Sequence, residues 1–360
     1  MISIVYKREE KIMGEKMKAI AITEVGKTEI IELDKPVAGP YELVINVKAT
    51  SLCTVDQRNF LGIVNYGKPM IGGHEVFGYV EEVGEACGDF KVGDAVVYDG
   101  IYCGQCDYCK TGNSTQCQGK NSQRPAFKFD GTIMGGGLAE YMRVPYIKCY
   151  HMPNDIKPEW AALSEPLSCC LHGIEKLNIH LGDTVVIIGC GIMGMAQTML
   201  CKLKGARVIV SEPQKERREK ALRNGADLGV DPMAEDPVEF VKKHTDGLGA
   251  AAVINTTPIA AVWEQAMGML APKGRLIAYS SQHPDQPVPI SFGKLHSKEY
   301  EYIGTVNAGA EDFVRITRLI KYNMINCDEL IHGVYKFEDH QKAFEDASQP
   351  STYRCVIVQD

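Results

Sequence analysis

Two rhythms divide the chain. From Met17 to about residue 165, apolar and polar positions alternate in short runs such as Met17–Ile22, Tyr41–Ala49 and Tyr79–Val83, with Gly, Pro and Asp between them. A period of two marks half-buried strands, so this stretch predicts a β-rich unit with frequent turns. From about residue 170 strand-like runs alternate with helical ones. Val185–Gly189 reads as a strand, Ile192–Lys204 as a helix, Val208–Ser211 as a strand and Gln214–Arg223 as a helix that stops at Gly225. Strand-like Ala252–Asn255, helical Ala260–Leu270 and strand-like Leu276–Ser280 continue the series. That alternation predicts a doubly wound α/β unit, a parallel sheet covered on both faces. A helix over Asp312–Tyr322 and a strand over Tyr353–Val358 follow, and the tail can return to the first unit. The expected organisation is an extension over 1–16, a β-rich unit over 17–165, an α/β unit over 166–307 and a returning segment over 308–360.

Composition narrows the class. The 360 residues are 45% hydrophobic and 24% charged, an ordinary globular balance. A net charge of −7 offers no basic face for nucleic acid. Lys7, Arg8, Glu9, Glu10 and Lys11 interrupt any apolar run near the start, so no signal peptide is expected there. The uncharged stretch Thr184–Cys201 carries three glycines in a strand–helix context, which argues for buried core and against a membrane span. Thirteen cysteines without a secretory signal suit metal ligation and buried thiols better than disulfides. Eight of them, Cys87, Cys149, Cys169, Cys170, Cys190, Cys201, Cys327 and Cys355, are expected to be inert core residues.

Gly189-Cys190-Gly191-Ile192-Met193-Gly194 follows a predicted strand and opens a predicted helix. In that context Gly189 allows the tight turn, Gly191 lets the backbone approach a pyrophosphate and Gly194 lets helix and strand pack closely. The amides at Ile192 and Met193 then face phosphate charge. Glu212 lies at the end of the next strand, where a carboxylate accepts hydrogen bonds from ribose hydroxyls and repels an added phosphate, favouring NAD over NADP. Arg217 either flanks the adenosine or belongs to a solvated helix face.

Cys103-x2-Cys106-x2-Cys109-x7-Cys117 places four thiolates close together. Four sulfurs leave no open position, so the expectation is a structural zinc. A second set is dispersed: Cys53, His74, Glu75 and Glu165. Sulfur, imidazole and carboxylate together suit a catalytic zinc with a vacant position.

On these motifs the sequence resembles the zinc-dependent medium-chain alcohol dehydrogenases, from Met17 onward. The resemblance rests on Gly73-His74-Glu75-Val76-Phe77-Gly78 with Gly84 and Cys87, the four-cysteine lobe, Gly137-Leu138-Ala139-Glu140-Tyr141, Ser164-Glu165-Pro166-Leu167-Ser168 and the glycine motif, in that order. Glutamate at 165 is similar to the sorbitol and threonine dehydrogenase branch. The resemblance implies a β-rich GroES-like catalytic domain with a structural-zinc lobe at about 100–120, and a Rossmann domain. It implies Cys53, His74 and Glu165 as catalytic zinc ligands, with Glu75 alternating between ligand and supporting partner and Asp56 supporting the ligands. It further implies NAD, one catalytic and one structural zinc, a small alcohol or ketone substrate, a cytoplasmic location and a homo-oligomer, dimer or tetramer.

The expected reaction is hydride transfer between NAD and a secondary alcohol of a small polyol or sugar derivative. Alternatives are a hydroxy or amino-hydroxy acid substrate, a redox-neutral reaction through transient oxidation, or an inactive binding protein on the same fold. Family members carry a hydroxyl and a histidine where this chain has Val55 and Arg58, so the usual proton relay is absent. Glu75 as base or the hydroxyl of Thr54 can stand in. Arg58 either binds an anionic substrate group or makes a surface or NAD-phosphate contact. Pocket walls are expected from the loops Phe60–Pro69 and Asn121–Gly131.

Overall fold

The computed structural model describes residues 15–65, 67–100, 102–118, 136–282 and 286–360, with the backbone of 128–129 and 132–134. The expected extension falls almost wholly outside these residues, as does most of the Asn121–Gly131 loop; Lys16 already opens a strand.

The alternating first stretch forms two sheets. Lys16–Glu24 pairs antiparallel with Lys27–Asp34 at one end of a sheet that also holds Met70–Ile71. In the second sheet Glu42–Ser51 is central, flanked by Glu75–Val83 and the C-terminal strand Arg354–Val358. Arg354–Val358 also pairs in parallel with Ile331–Lys336. The tail therefore returns to the first unit. It does not return at once, because the helix Ala310–Lys321 packs on the helix Ser164–Lys176 of the second.

The second unit is a six-stranded parallel sheet. Reading across it, the strands are Leu228–Val230, Arg207–Ser211, Thr184–Ile188, Ala250–Asn255, Leu270–Ala278 and Glu301–Gly304. Numbered along the chain this order is 3-2-1-4-5-6, the doubly wound dinucleotide arrangement, whose strand order reverses beside the first strand. Val185, Val186 and Ile187 there are fully buried, as a strand covered on both faces requires. Thr184–Cys201 is thus strand, turn and helix, and no helix among the described residues is long and apolar enough to cross a membrane.

Two expected elements change. The helix expected over Ala260–Leu270 is Val262–Gly268, and Leu270 already starts a strand running to Ala278. Leu270 pairs with Ala250 and Arg275 with Ala252, and the residues between form an irregularity in the ladder with Lys273 at φ +62. The helix Ser164–Lys176 carries Glu165 in its first turn, just before Pro166. One apolar cluster joins both units, with Ala49, Phe77 and Val97 of the first against Leu167, Ile187 and Met195 of the second.

Candidate active site

Cys53 ends the link from the central strand Glu42–Ser51 and caps the helix Thr54–Phe60. Asp56, one turn along, is 1% exposed, and its two oxygens accept the Cys53 N–H at 3.1 Å and the Gly73 N–H at 3.1 Å. One carboxylate thereby sets the distance between the loop of Cys53 and the loop of His74. Gly73 sits at φ +85, and a Cβ there would meet the Thr50 methyl at 2.7 Å and the Leu138 nitrogen at 2.8 Å. Only glycine fits this position, which delivers His74 and then Glu75 into the next strand.

The ligand atoms of Cys53, His74 and Glu75 all lie within 4.8 Å of one another. Glu165, at the start of the facing helix, is outside this compact triad, yet its charge reaches both His74 and Glu75. Enclosure lowers the affinity of His74 for a proton, but Cys53, Glu165 and Asp56 outweigh it and hold its pKa above the ordinary value. Burial raises the pKa of Glu75, against the pull of Arg354.

Arg354 is the residue that sequence reasoning missed. Its Nη2 donates to Glu75 Oε1 at 2.6 Å and stands 3.9 Å from the Cys53 sulfur. Side-chain exposures of 4% and 0% make this a buried ion pair. Glu75 Oε2 is sealed from solvent with no hydrogen-bond partner; the Ser51 hydroxyl beside it does not meet bonding geometry. An orphaned carboxylate oxygen next to a thiol and an imidazole is the environment a zinc ion satisfies.

The four-cysteine lobe fits its metal more directly. Sulfurs about 2.3 Å from one zinc stand roughly 3.8 Å apart in a tetrahedron. Here Cys106 Sγ lies 3.5 Å from that of Cys109 and 3.8 Å from that of Cys117, and Cys103 Sγ lies 4.0 Å from that of Cys109. The N–H groups of Gln105 and Cys106 point at the Cys103 sulfur, and the Cys109 N–H pulls Cys106 down to about 6. These donors favour thiolates. All thirteen cysteines are free.

At the glycine motif, Gly189 takes φ +87, and a Cβ on Gly194 would lie 1.9 Å from the Gly189 oxygen. A Cβ on Gly191 would meet nothing nearer than the Arg217 guanidinium at 3.9 Å. Gly191 also leaves the helix start without a side-chain cap, so the first amides, at Ile192 and Met193, have no side chain on them. That open ground suits a pyrophosphate.

Glu212 and Arg217 both stand beside the glycine motif. Glu212 is 3% exposed, its oxygens accepting the Cys190 N–H at 2.7 Å and the Gln214 N–H at 2.9 Å, so it braces the turn from beneath. Arg217 is half-buried; it donates to the Pro350 carbonyl and lies 5.9 Å from the Tyr353 ring centroid. Thr54 is exposed at the first turn of its helix, and Val55 beside it is 38% exposed. Arg58 spans the units, donating to the Ser281 hydroxyl at 3.2 Å.

Two adjacent residues tie the sites together. The Tyr353 hydroxyl donates to the Cys190 carbonyl at 3.0 Å, and Arg354 donates to Glu75. The glycine motif and the thiol–imidazole–carboxylate triad are therefore neighbours across one strand entrance. Neither residue announced itself in the sequence, because a tyrosine and an arginine in a tail strand have no spacing signature.

Comparison with known proteins agrees with this geometry. The alcohol dehydrogenase GroES-like domain model matches residues 39–154, and the zinc-binding dehydrogenase model matches 193–321. An L-threonine 3-dehydrogenase of Thermococcus kodakarensis is 36% identical over 92% of this chain and 95% of its own. A D-arabitol-phosphate dehydrogenase of Enterococcus avium is 30% identical over 96% and 98%. A crystal structure from Sinorhizobium meliloti 1021, described as a zinc-binding dehydrogenase bound to NADP, superposes with TM-score 0.87 at 27% identity, covering 96% and 100%. The chain belongs to the zinc-dependent medium-chain alcohol dehydrogenases, oxidoreductases that use a nicotinamide cofactor and zinc.

Proposed function

We propose that the chain oxidises a secondary alcohol of a small polyol or sugar derivative with NAD, at Cys53, His74, Glu75 and Glu165. The observation that supports it most is the Tyr353–Arg354 pair, which sets the triad beside the glycine motif. A zinc ion held by Cys53, His74 and Glu165, with Glu75 in support, would act as a Lewis acid on the substrate oxygen. Cys103, Cys106, Cys109 and Cys117 would hold the structural ion.

The protein's own groups do the rest. Asp56 holds the two ligand loops at one spacing, and Arg354 fixes Glu75 through Oε1. Glu75, held beside the ligands, would act as the base that takes the hydroxyl proton. The amides after Gly191 would hold the pyrophosphate of NAD, with Arg217 beside them. Glu212 braces the turn through its inward hydrogen bonds, and its negative charge at the strand end would favour NAD over NADP. Arg58 and Ser281 bridge the mouth of the crevice from its two sides.

The test is NAD reduction across polyols, sugar acids, amino alcohols and phosphorylated polyols, with and without chelation. Chelator-sensitive NADH release with a polyol supports the reading. Release only with threonine-like amino alcohols would move it to the amino-hydroxy acid branch, in keeping with the D-arabitol-phosphate and threonine relatives standing side by side. Glu75→Gln is expected to lower turnover at neutral pH about a hundredfold.

A homo-oligomer in the cytoplasm belongs to the same proposal. The outer edge of Glu301–Gly304 has no strand partner among the described residues, and free thiols suit a reducing compartment. Light scattering reads the oligomeric state.

A further inference from the structure

Glu165 rides on the helix Ser164–Lys176, whose start has no side-chain cap. Polar contacts further along that helix therefore bear on its rotation, and so on where Glu165 points. His172 stands seven residues on, just under two helical turns, which puts it on the face of Glu165 about 10 Å along the axis. Its Nδ1 lies 2.9 Å from Asp312 Oδ2, and because a carboxylate only accepts, the imidazole donates. Its Nε2 is sealed from solvent with no hydrogen-bond partner among the described residues, so Asp312 is the one polar group that holds the ring. The next charged contact on the helix, Glu175 with Lys204 at 2.9 Å and Arg315 at 3.3 Å, is nearly a turn farther from Glu165.

Asp312 is itself held. It is 7% exposed, and the same oxygen accepts the Gly309 N–H at 2.9 Å at the start of the helix Ala310–Lys321. Two contacts rest that start against the four-cysteine lobe. Asn307 Nδ2 donates to the Thr115 carbonyl at 3.4 Å, and Phe313 stacks on Tyr150 with ring centroids 5.1 Å apart. The Tyr150 hydroxyl in turn meets that of Tyr102, the residue before Cys103, at 3.1 Å. We propose that His172 and Asp312 are positioning residues for Glu165, setting the rotation of its helix from a footing on the four-cysteine lobe. The inference rests on the reading of Glu165 as a ligand of the catalytic ion. A group that touches no metal but orients a ligand costs about ten- to a hundredfold in metal affinity when it is removed.

The test uses the full-length protein loaded with cobalt(II), reading the affinity and visible absorption of the ion outside the lobe. His172→Phe keeps a ring but loses the donor, and is expected to weaken that ion about tenfold and shift its bands. His172→Asn places an amide N–H where the imidazole Nδ1–H stood and should restore both to within about twofold. NADH affinity, followed by fluorescence titration, should change less than about twofold throughout, because the glycine motif makes no contact with this pair. With Glu165→Gln in place, the gap between the two variants at 172 should close. An unchanged ion in His172→Phe, a failure of His172→Asn to restore it, or an undiminished gap beside Glu165→Gln overturns the inference. Asp312→Asn keeps an acceptor but drops the charge, so it reads the same contact if His172→Phe does not fold, and an unchanged ion there is equally fatal. A Glu165→Gln variant whose ion keeps its affinity and bands overturns the reading of Glu165 as a ligand, a result distinct from these.

Discussion

The two candidate metal centres of this chain are built in opposite ways. The four-cysteine lobe draws every donor from fifteen consecutive positions, Cys103 to Cys117, and its sulfurs already stand at zinc-like spacings. The other centre gathers Cys53, His74 and Glu75 from two loops, Glu165 from a facing helix and Arg354 from the end of the chain. A local site depends on its metal for order. A dispersed site depends on the fold, and the metal only completes it. That difference teaches where each will fail.

The largest expected effect separates them outright. Metal binding at small thiolate sites is worth on the order of 10 kcal/mol and doubles as folding energy. Cys106→Ala should therefore cost one bound ion and open residues 103–118 to protease, while cofactor binding survives. Limited proteolysis with metal analysis reads both. If the ion stays, the lobe is not a zinc site.

Next comes Arg354→Ala, which attacks the dispersed site alone. It leaves Glu75 buried and unpaired, a loss of about 3–5 kcal/mol in unfolding free energy. The exposed pair Lys157–Asp328, with side chains 53% and 55% accessible, is the contrast: Lys157→Ala should cost under about 0.5 kcal/mol. Denaturant unfolding compares them. Equal midpoints would show that Arg354 is not the brace argued here.

What could be read in the sequence follows the same divide. The cysteine lobe, the glycine motif and the alternation of strand and helix are local, and each carries its reason in its spacing. Gly189 makes the tight turn and Gly194 the close helix–strand approach that their positions predict. Long-range partners carry no such mark. Arg354 is 279 residues from Glu75 in the chain, and nothing nearby says that it will be buried there. Glu212 shows a subtler limit. Its place at the strand end was legible, but its inward hydrogen bonds to Cys190 and Gln214 depend on the path of two backbones.

A smaller effect is expected at the nucleotide turn. A Cβ on Gly194 would collide with the Gly189 oxygen at 1.9 Å, so Gly194→Ala must push helix and strand apart. Overpacking of this kind costs about 1–3 kcal/mol, and the strain falls on the turn that receives the cofactor. NADH affinity, followed by fluorescence titration, should drop at least tenfold, about 1.4 kcal/mol. Both metals should remain. Loss of the triad's metal would mean that the two sites share more of their stability than the Tyr353–Arg354 contact suggests.

The smallest effect tests the proton route. Thr54 lies beside Cys53 but is exposed at the first helical turn, with no hydrogen bond from its hydroxyl among those described. Glu75 is sealed, braced on one oxygen and free on the other. On the proposed route a proton leaving the substrate goes to Glu75, with Thr54 the solvated alternative. Thr54→Val should change turnover less than about twofold, in the range of an ordinary surface substitution, at every pH where the protein is folded. A tenfold fall in kcat with KM unchanged would mean that the hydroxyl of Thr54, and not the buried carboxylate, takes the proton.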